Sequence, residues 1–505
     1  MNQTALDIIN KCYETKDTFL DLGRLGLTDE DFVVGSELDL ALGLCTHVEK
    51  IVFSNEWMGW DKDDQTWKNI ETINLLESNF FRSLPPSLIK LSRLYILILA
   101  GRPGKTWEIG SMEFIKNFPS LKNLNLSYNK ISEIKGLENC SALESLNLSG
   151  NQITEIKGLE NCTALTSLNL QENKIARIKG LDNCIDLINF ILFKNKVTQI
   201  KGIENCTALS SLNLSLNKIT EIKGLENCTA LTYIELGANK ISEIKGLENC
   251  TAITWIGLFG NKITEIKGLD NCTALTELEL SSNQITEIKG LENCSLLHSL
   301  YLSDNQIVEL KGLKKLKNLR NLYLGNNKIA TIQNLNKLPK LGNINLSENP
   351  ISNLKDLPQL LKLESLEELN LFRIQQNDLN IPIELFGQSA EDNCLEPLRG
   401  YFASLRKGSF QFNEVPIILV GNSTAGKTSL RYFLRENVYP PPENHSTHGI
   451  EPDLWVPDDE LFEQNGISKP QNLQLYIWDF GGQEYYHATH RLFYSQRAIY
   501  ILVWE

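Results

Sequence analysis

From Leu121 to Leu360 the chain repeats one arrangement of apolar and polar positions. The unit Leu121–Ala142 reads LKNLNLSYNKISEIKGLENCSA, and its Leu126 has ten equivalents, down to Leu346, that are all leucine. Leu124, Ile131, Ile134 and Leu137 are matched by apolar residues in every unit. The stretch L-x-x-L-x-L alternates, which predicts a short strand with Leu124 and Leu126 turned inward. Beyond it, the spacing of three through Ile131, Ile134, Leu137 and Cys140 suits a tight 3₁₀-like back. Asn129 closes the strand and recurs at Asn151, Asn173, Asn195, Asn217, Asn239, Asn261, Asn283, Asn305, Asn327 and Asn349, each step being 22 residues. A fixed period of this length marks a stack of small units that share one core, since a single unit cannot close its own. The asparagine sits where strand turns to back and leaves backbone groups without a ladder. Its amide offers two donors and an acceptor to satisfy them.

Weaker units flank the regular array. Ile70, Ile73 and Leu75 with Asn79 read as one, followed by Leu84-Pro85-Pro86; Leu94, Leu97 and Leu99 read as another, and Leu366, Leu369 and Leu371 as a last. Ala5, Ile8, Ile9 and Cys12 fall on one face of a short helix that caps the first rung. Leu395–Lys407 reads as an amphipathic linking helix. The expected organisation is an N-terminal cap over 1–19, repeats over 20–380, a linking helix within 381–410 and a different domain over 411–505.

Eleven cysteines invite a disulfide or metal reading, but eight of them share one repeat position: Cys140, Cys162, Cys184, Cys206, Cys228, Cys250, Cys272 and Cys294. Leu316, Leu338 and Leu360 take that place in later units, so it is an apolar core slot. There is no CxxC pair for zinc, and stacked rungs hold neighbouring sulfurs on parallel vectors too far apart for a disulfide. A reduced cysteine ladder in a cytoplasmic protein is expected. The N-C-T and N-C-S triplets of the units are formal glycosylation sequons produced by the repeat.

The net charge of −13 argues against nucleic acid as a partner, because phosphate contacts need clustered Lys and Arg. No apolar run approaches the ~20 residues that span a bilayer. The first residues contain no apolar h-region of a secretory signal. Lys135, Glu138 and their copies form solvated charge columns.

Strand positions between the inward leucines face outward, and most are Asn, Ser, Thr or Glu, as at Asn147, Asn169 and Ser211. Ile191, Phe193, Tyr233, Trp255 and Phe259 break that rule, and Tyr301 and Tyr323 extend the set. Large apolar side chains on a solvated sheet face mark a contact site for a protein partner or another part of the chain. The alternative is that the aromatics pack on each other across rungs.

A different chemistry begins at Val415–Val420, an all-apolar run that fits a buried parallel strand. It leads into Gly421-Asn422-Ser423-Thr424-Ala425-Gly426-Lys427-Thr428, and Thr428 to Glu436, with Ser429, continues as a helix. Strand, G-x-x-x-x-G-K-T and helix in this order form a phosphate-binding loop. Gly421 and Gly426 let the backbone N–H groups curl toward phosphate oxygens, and the helix adds its positive end. Lys427 reaches the β- and γ-phosphates, and Thr428 offers its hydroxyl to Mg²⁺. Leu473–Trp478 is a second buried strand, ending in Asp479-Phe480-Gly481-Gly482-Gln483-Glu484. Asp479 can hold Mg²⁺ through water, Gly482 can bring its N–H to a γ-phosphate, and Gln483 can orient the attacking water. Ala498–Trp504 reads as the next core strand.

The repeats resemble leucine-rich repeats of the short 22-residue class, which implies a curved solenoid with a parallel sheet on its concave face. The Asp479–Gln483 segment resembles the DxxGQ pattern of small GTPases, and Thr447 resembles their switch I threonine that binds Mg²⁺. Repeats followed by such a domain, with WDFGGQEYYHATH in the second switch, resemble the Roco family. The fold class is thus α/β: a leucine-rich-repeat solenoid followed by a partial P-loop, small-GTPase-like Roc domain. The resemblance implies GTP and GDP as ligands, slow hydrolysis with Mg²⁺, and a homodimer through a COR domain that follows Roc. His487 and His490 match the same switch and are assigned no chemistry. The guanine-reading motif is expected beyond Glu505, so the chain as given is expected to be C-terminally truncated and impaired in nucleotide binding. A rival reading is a repeat scaffold whose G domain does not turn over. An ATPase is disfavoured by Gly481-Gly482-Gln483.

Overall fold

The computed structural model describes residues 2–54, 58–61, 66–69, 79–374, 378–379, 381–389, 391–406, 414–420, 426–436, 450–456, 474–480 and 499–503. The chain divides into two compact units, Met1–Arg399 and Gly400–Glu505. Each is described by itself.

The first unit is built on a 15-stranded sheet that runs from Phe19–Asp21 to Glu368–Asn370 in chain order, every pair parallel. Most of its strands are three residues long, with the central side chain buried and its neighbours partly exposed, as in Ser167–Asn169. Register advances by one unit per rung, so Leu146 pairs with Leu168 and Leu168 with Phe190. Identical inward positions therefore stack into columns, and one continuous core runs the length of the solenoid.

The asparagines do the work their position implies. Asn239 Nδ2 donates to the carbonyl oxygens of Leu214, Leu236 and Gly237 at 3.0, 2.9 and 3.3 Å, and its Oδ1 accepts the Ile219 N–H at 3.0 Å. One buried amide thus ties two rungs together. The back of each cysteine-bearing unit closes with a hydrogen bond of the 3₁₀ type, such as Cys250 N–H to Leu247 O at 3.0 Å. Longer 3₁₀ helices form at Leu313–Lys315 and Leu335–Lys337, so the tight back is mostly a chain of single turns. The glycine of the back is required by conformation and by space: Gly246 has φ +102°, and a Cβ there would overlap the Ile222 carbonyl oxygen.

One weak unit differs from its sequence reading. Ile70, Ile73 and Leu75 lie outside the described residues, yet the strand Lys50–Val52 pairs directly with Ile96–Ile98. The rung in that place is Val48, Ile51 and Phe53, all fully buried. Asn79 still serves it, donating to Phe53 O at 3.0 Å and Leu22 O at 2.7 Å. An insertion with the hairpin Met58–Asp61 and Thr66–Asn69 separates this strand from its asparagine and hides the period.

Both ends of the stack are covered. The helix Gln3–Thr15 is capped by Asn2, whose side chain accepts the Ala5 N–H at 3.1 Å, and it buries Ala5, Leu6, Ile9 and Cys12. Cys394, Leu395 and Leu398 are buried at the start of the helix Leu395–Arg406. Arg399 there donates to the Leu361 and Leu363 carbonyls at 3.1 and 3.0 Å, satisfying backbone at the last rung.

All eleven cysteines are free and buried. The ladder thiols point at the preceding unit, as Cys250 Sγ does toward Leu225 O at 3.7 Å. Burial pushes Cys250 up to about 11 and Cys228 up to about 12 from an ordinary 9.0. A thiol raised in the folded state favours folding fully below the unfolded value, and that contribution is lost as pH rises through the folded one. Stability is therefore expected to hold up to about pH 9 and to fall between pH 9 and 12. Urea midpoints at pH 8 and pH 10.5 check this, and an unchanged midpoint would contradict it.

The second unit holds a four-stranded sheet in the order Ile450–Trp455, Gln474–Phe480, Glu414–Val420, Ile499–Leu502. The first of these is antiparallel to its neighbour and the other pairs are parallel. The helix Lys427–Glu436 sets Leu430 and Leu434 against Ile417, Leu419, Leu475 and Ile477. No helix among the described residues is long and apolar enough to cross a membrane.

Candidate functional site

Two regions carry chemistry, and they lie in different units.

The strand Glu414–Val420 is apolar because both of its faces are covered; Ile417, Ile418 and Leu419 are buried. After it the chain visits Ile450–Trp455 and Gln474–Phe480 on one side, then crosses back to Ile499–Leu502 on the other. The order reverses at the carboxyl end of Glu414–Val420, and open α/β sheets bind ligands in the crevice at such a switch point. The glycine-rich segment starts there.

Gly421, Asn422, Ser423, Thr424 and Ala425 lie outside the described residues, as do Thr447, Gly482 and Gln483. Gly426 adopts φ +84°, with nothing within 4 Å of where a Cβ would sit, so conformation rather than space favours glycine. Lys427 opens the helix and is buried at 6% exposure. Leu430 N–H bonds Gly426 O at 2.9 Å, closing the first turn directly after the glycine. The helix thus starts seven residues after Val420 ends its strand, with its N-terminal amides on the side of that strand's carboxyl end. Thr428 and Ser429 are in its first turn.

Asp479 pairs in register with Leu419, one residue before Val420. A parallel neighbour lies about 4.8 Å away, so Asp479 shares the sheet edge from which the glycine-rich segment leaves. Gly426, Lys427, Thr428 and Asp479 are therefore carried by elements that converge on one edge. Carboxylate and hydroxyl oxygens are the donors Mg²⁺ takes, and a buried lysine at a helix start is suited to phosphate, so the residue types fit a nucleotide with its metal.

Sequence reading missed Arg431. It is 6% exposed on the same helix, and its Nε lies 3.7 Å from the Asp453 carboxylate on the antiparallel edge strand. This ion pair bridges helix and sheet. Its signal in sequence was the i, i+4 spacing of Lys427, Arg431 and Arg435 beside the Leu430 and Leu434 stripe.

The outward face of the repeats is the second region. Tyr233 and Trp255 stack across adjacent rungs with centroids 6.0 Å apart and planes 11° apart. Tyr301 and Tyr323 stack at 4.9 Å and 3°. These four satisfy part of their own burial, as the packing alternative foresaw. Phe193 is half-buried and Phe259 is 47% exposed; Ser215 and Gly237 occupy the rungs between them. Ile191 is also half-buried. Trp255 Nε1 donates to Glu235 Oε2 at 3.3 Å, and Glu235 Oε1 accepts from Gly237 N–H at 3.1 Å and Ser215 Oγ at 3.3 Å. Gly257 is small because the Glu235 carboxylate lies where its side chain would be.

Comparison with known proteins finds matches for both units. Residues 416–505 match the family model "Ras of Complex, Roc, domain of DAPkinase". The model for two copies of leucine-rich repeats matches in six windows between 119 and 359. A probable serine/threonine-protein kinase, pats1, of Dictyostelium discoideum is 42% identical over 115 residues, 21% of this chain and 4% of that protein. A Roc-COR-CHAT protease of Runella zeae is 31% identical over 146 residues, 28% of this chain and 16% of that protein. The matches thus span only 4% and 16% of those two relatives. Among solved structures, internalin InlF of Listeria monocytogenes superposes with a TM-score of 0.53 at 30% identity, covering 58% of this chain and 84% of that one.

Proposed function

We propose that this chain, in which leucine-rich repeats are followed by a Roc domain and whose homologues are Roco-family kinases and Roc-COR proteins, works as a nucleotide-controlled regulator. The Roc domain binds guanine nucleotide, and the repeats engage a protein. What supports this most is the convergence of Lys427, the helix start and Asp479 on the edge where the strand order reverses.

In this reading GTP and water give GDP and phosphate by in-line displacement, with positioning and electrostatics carrying the acceleration. Lys427 neutralises phosphate charge, and the amides of Gly421–Gly426 cradle the phosphates. Thr428 and Asp479, with Thr447 in the GTP state, would hold Mg²⁺, which would supply positive charge to the phosphates. Gly482 meets the γ-phosphate, and Gln483 orients water. Ile191, Phe193, Tyr233, Trp255 and Phe259 mark the protein-docking face. A homodimer and a cytoplasmic location belong to the same proposal.

Gln483→Leu tests the hydrolytic part. Single-turnover GTP cleavage in the intact protein is expected to slow at least tenfold while GTP affinity stays within about twofold, since the side chain acts on water and not on the nucleotide. Unchanged cleavage would remove Gln483 from the mechanism.

A further inference from the structure

The two aromatic stacks of the concave face leave one rung between them. Trp255 is in register with Glu277, and Glu279 is in register with Tyr301. Rings stacked in parallel at about one rung spacing have their outer faces along the stacking direction. Trp255 and Tyr301 therefore turn their unstacked faces toward the Glu277–Glu279 strand from opposite sides. The other two neighbours of that strand in register are Gly257, over which the Glu235 carboxylate lies, and Ser299, which is buried, so a third carboxylate borders the rung.

The charge on this face is one-sided. Across the eleven strands from Asn123–Asn125 to Asn343–Asn345 the outward residues include Glu235, Glu277 and Glu279 and no Lys or Arg. Glu235 is engaged by Trp255, Ser215 and Gly237. Glu279 accepts from the Ser281 N–H at 2.7 Å and from the Ser281 side chain, and burial, with the Glu235 charge adding to it, raises its pKa against those bonds. Glu277 has no ion pair among the described residues. Elsewhere on the repeats, glutamates meet lysines, as at Glu133 and Lys135 or Glu144 and Lys122. Among the described residues no lysine or arginine pairs with Glu277 or Glu279, and the flanking groups are π faces that attract cations.

We propose that the Glu277–Glu279 rung and its two flanking aromatic stacks form the docking site for an arginine-bearing segment of a protein partner. This rests on the reading of the concave face as a protein-docking surface. A guanidinium is planar, lies flat on Trp and Tyr faces, and donates to two carboxylates at once; an ammonium does neither as well. Electrostatic complementarity with the acidic rung fixes its register along the sheet.

The test is selection of a random dodecapeptide phage library on the whole chain, counter-selected on Trp255→Ser. The expected result is enrichment of arginine in the peptides that need Trp255. Their affinity, measured by calorimetry, should fall at least tenfold on Glu277→Gln/Glu279→Gln, fall when their arginine is replaced by lysine, and hold on the exposed back-face pair Glu221→Gln/Glu243→Gln. Equal losses from both glutamate pairs would overturn the proposal as mere attraction to an acidic protein. Trp255-dependent peptides without arginine would overturn it while leaving the docking surface in place. An absence of Trp255-dependent peptides would overturn both readings. The two glutamate-to-glutamine pairs leave the core untouched, so the comparison holds even if Trp255→Ser folds poorly.

Discussion

Lys427→Ala is expected to cost the protein its nucleotide, with guanine nucleotide affinity falling by roughly 100-fold or more. Lys427 is buried at the first residue of its helix. Charge-assisted hydrogen bonds contribute about 1.5–3 kcal/mol each, and two lost contacts to phosphate account for that factor. Alanine is the best helix former, so the helix Lys427–Glu436 keeps its packing on Ile417 and Ile477. Titration with a fluorescent GDP analogue checks affinity, and circular dichroism checks the fold. The variant also separates the two classes of function. A nucleotide-controlled regulator loses signalling with the lysine, whereas a pure scaffold keeps both signalling and partner binding. Retained GDP affinity within about threefold would remove Lys427 from the site.

Asn239→Ala is expected to be the most damaging single change in the middle of the array. The buried Ile219 N–H loses its acceptor, and the carbonyls of Leu214, Leu236 and Gly237 each lose one of two donors, keeping Asn217, Asn261 and the Leu216 N–H. The unsatisfied N–H costs about 1–3 kcal/mol and the three lost bonds to carbonyls about 0.5–1.5 kcal/mol each, which brings the sum to roughly 3–5 kcal/mol. The effect should be local, because each rung touches only its neighbours. Amide exchange is expected to rise in the rungs around 214–257 and to change little near either end. Asn249→Ala is the control: its Nδ2 donates to Glu226 O at 2.9 Å in an exposed place, and its loss should cost below about 1 kcal/mol. Equal urea midpoints for the two variants would refute the structural role of the asparagine column.

The repeats were legible because every rung meets the same surroundings, so one position's physics is written eleven times. The asparagine, the apolar columns and the cysteine slot all follow from that periodicity. Where the environment is unique, the pattern misled. Ile70, Ile73 and Leu75 have repeat-like spacing, yet the Lys50–Val52 strand pairs with Ile96–Ile98, because an inserted hairpin moved Asn79 away from its own strand. The concave face was half legible. Its aromatics stand out against a polar column, but Glu277 and Glu279 are two of the many polar outward positions until register places them between two stacks. In the Roc domain the residues proposed for phosphate are local in sequence, so their motif could be read without the fold. The Arg431–Asp453 pair joins a helix to a strand about twenty residues on, and only the packed structure shows it.

The direct measurement of the central claim is the identity of the nucleotide carried by the protein purified from its own source. Native mass spectrometry of the protein, followed by acid release and mass analysis of the small molecule, reads it without any assumption about partner or pathway. GDP or GTP at close to one per chain is the expected result. ADP or ATP in its place, or no nucleotide at all, would contradict a guanine-nucleotide regulator and leave the repeats as the working part of the molecule.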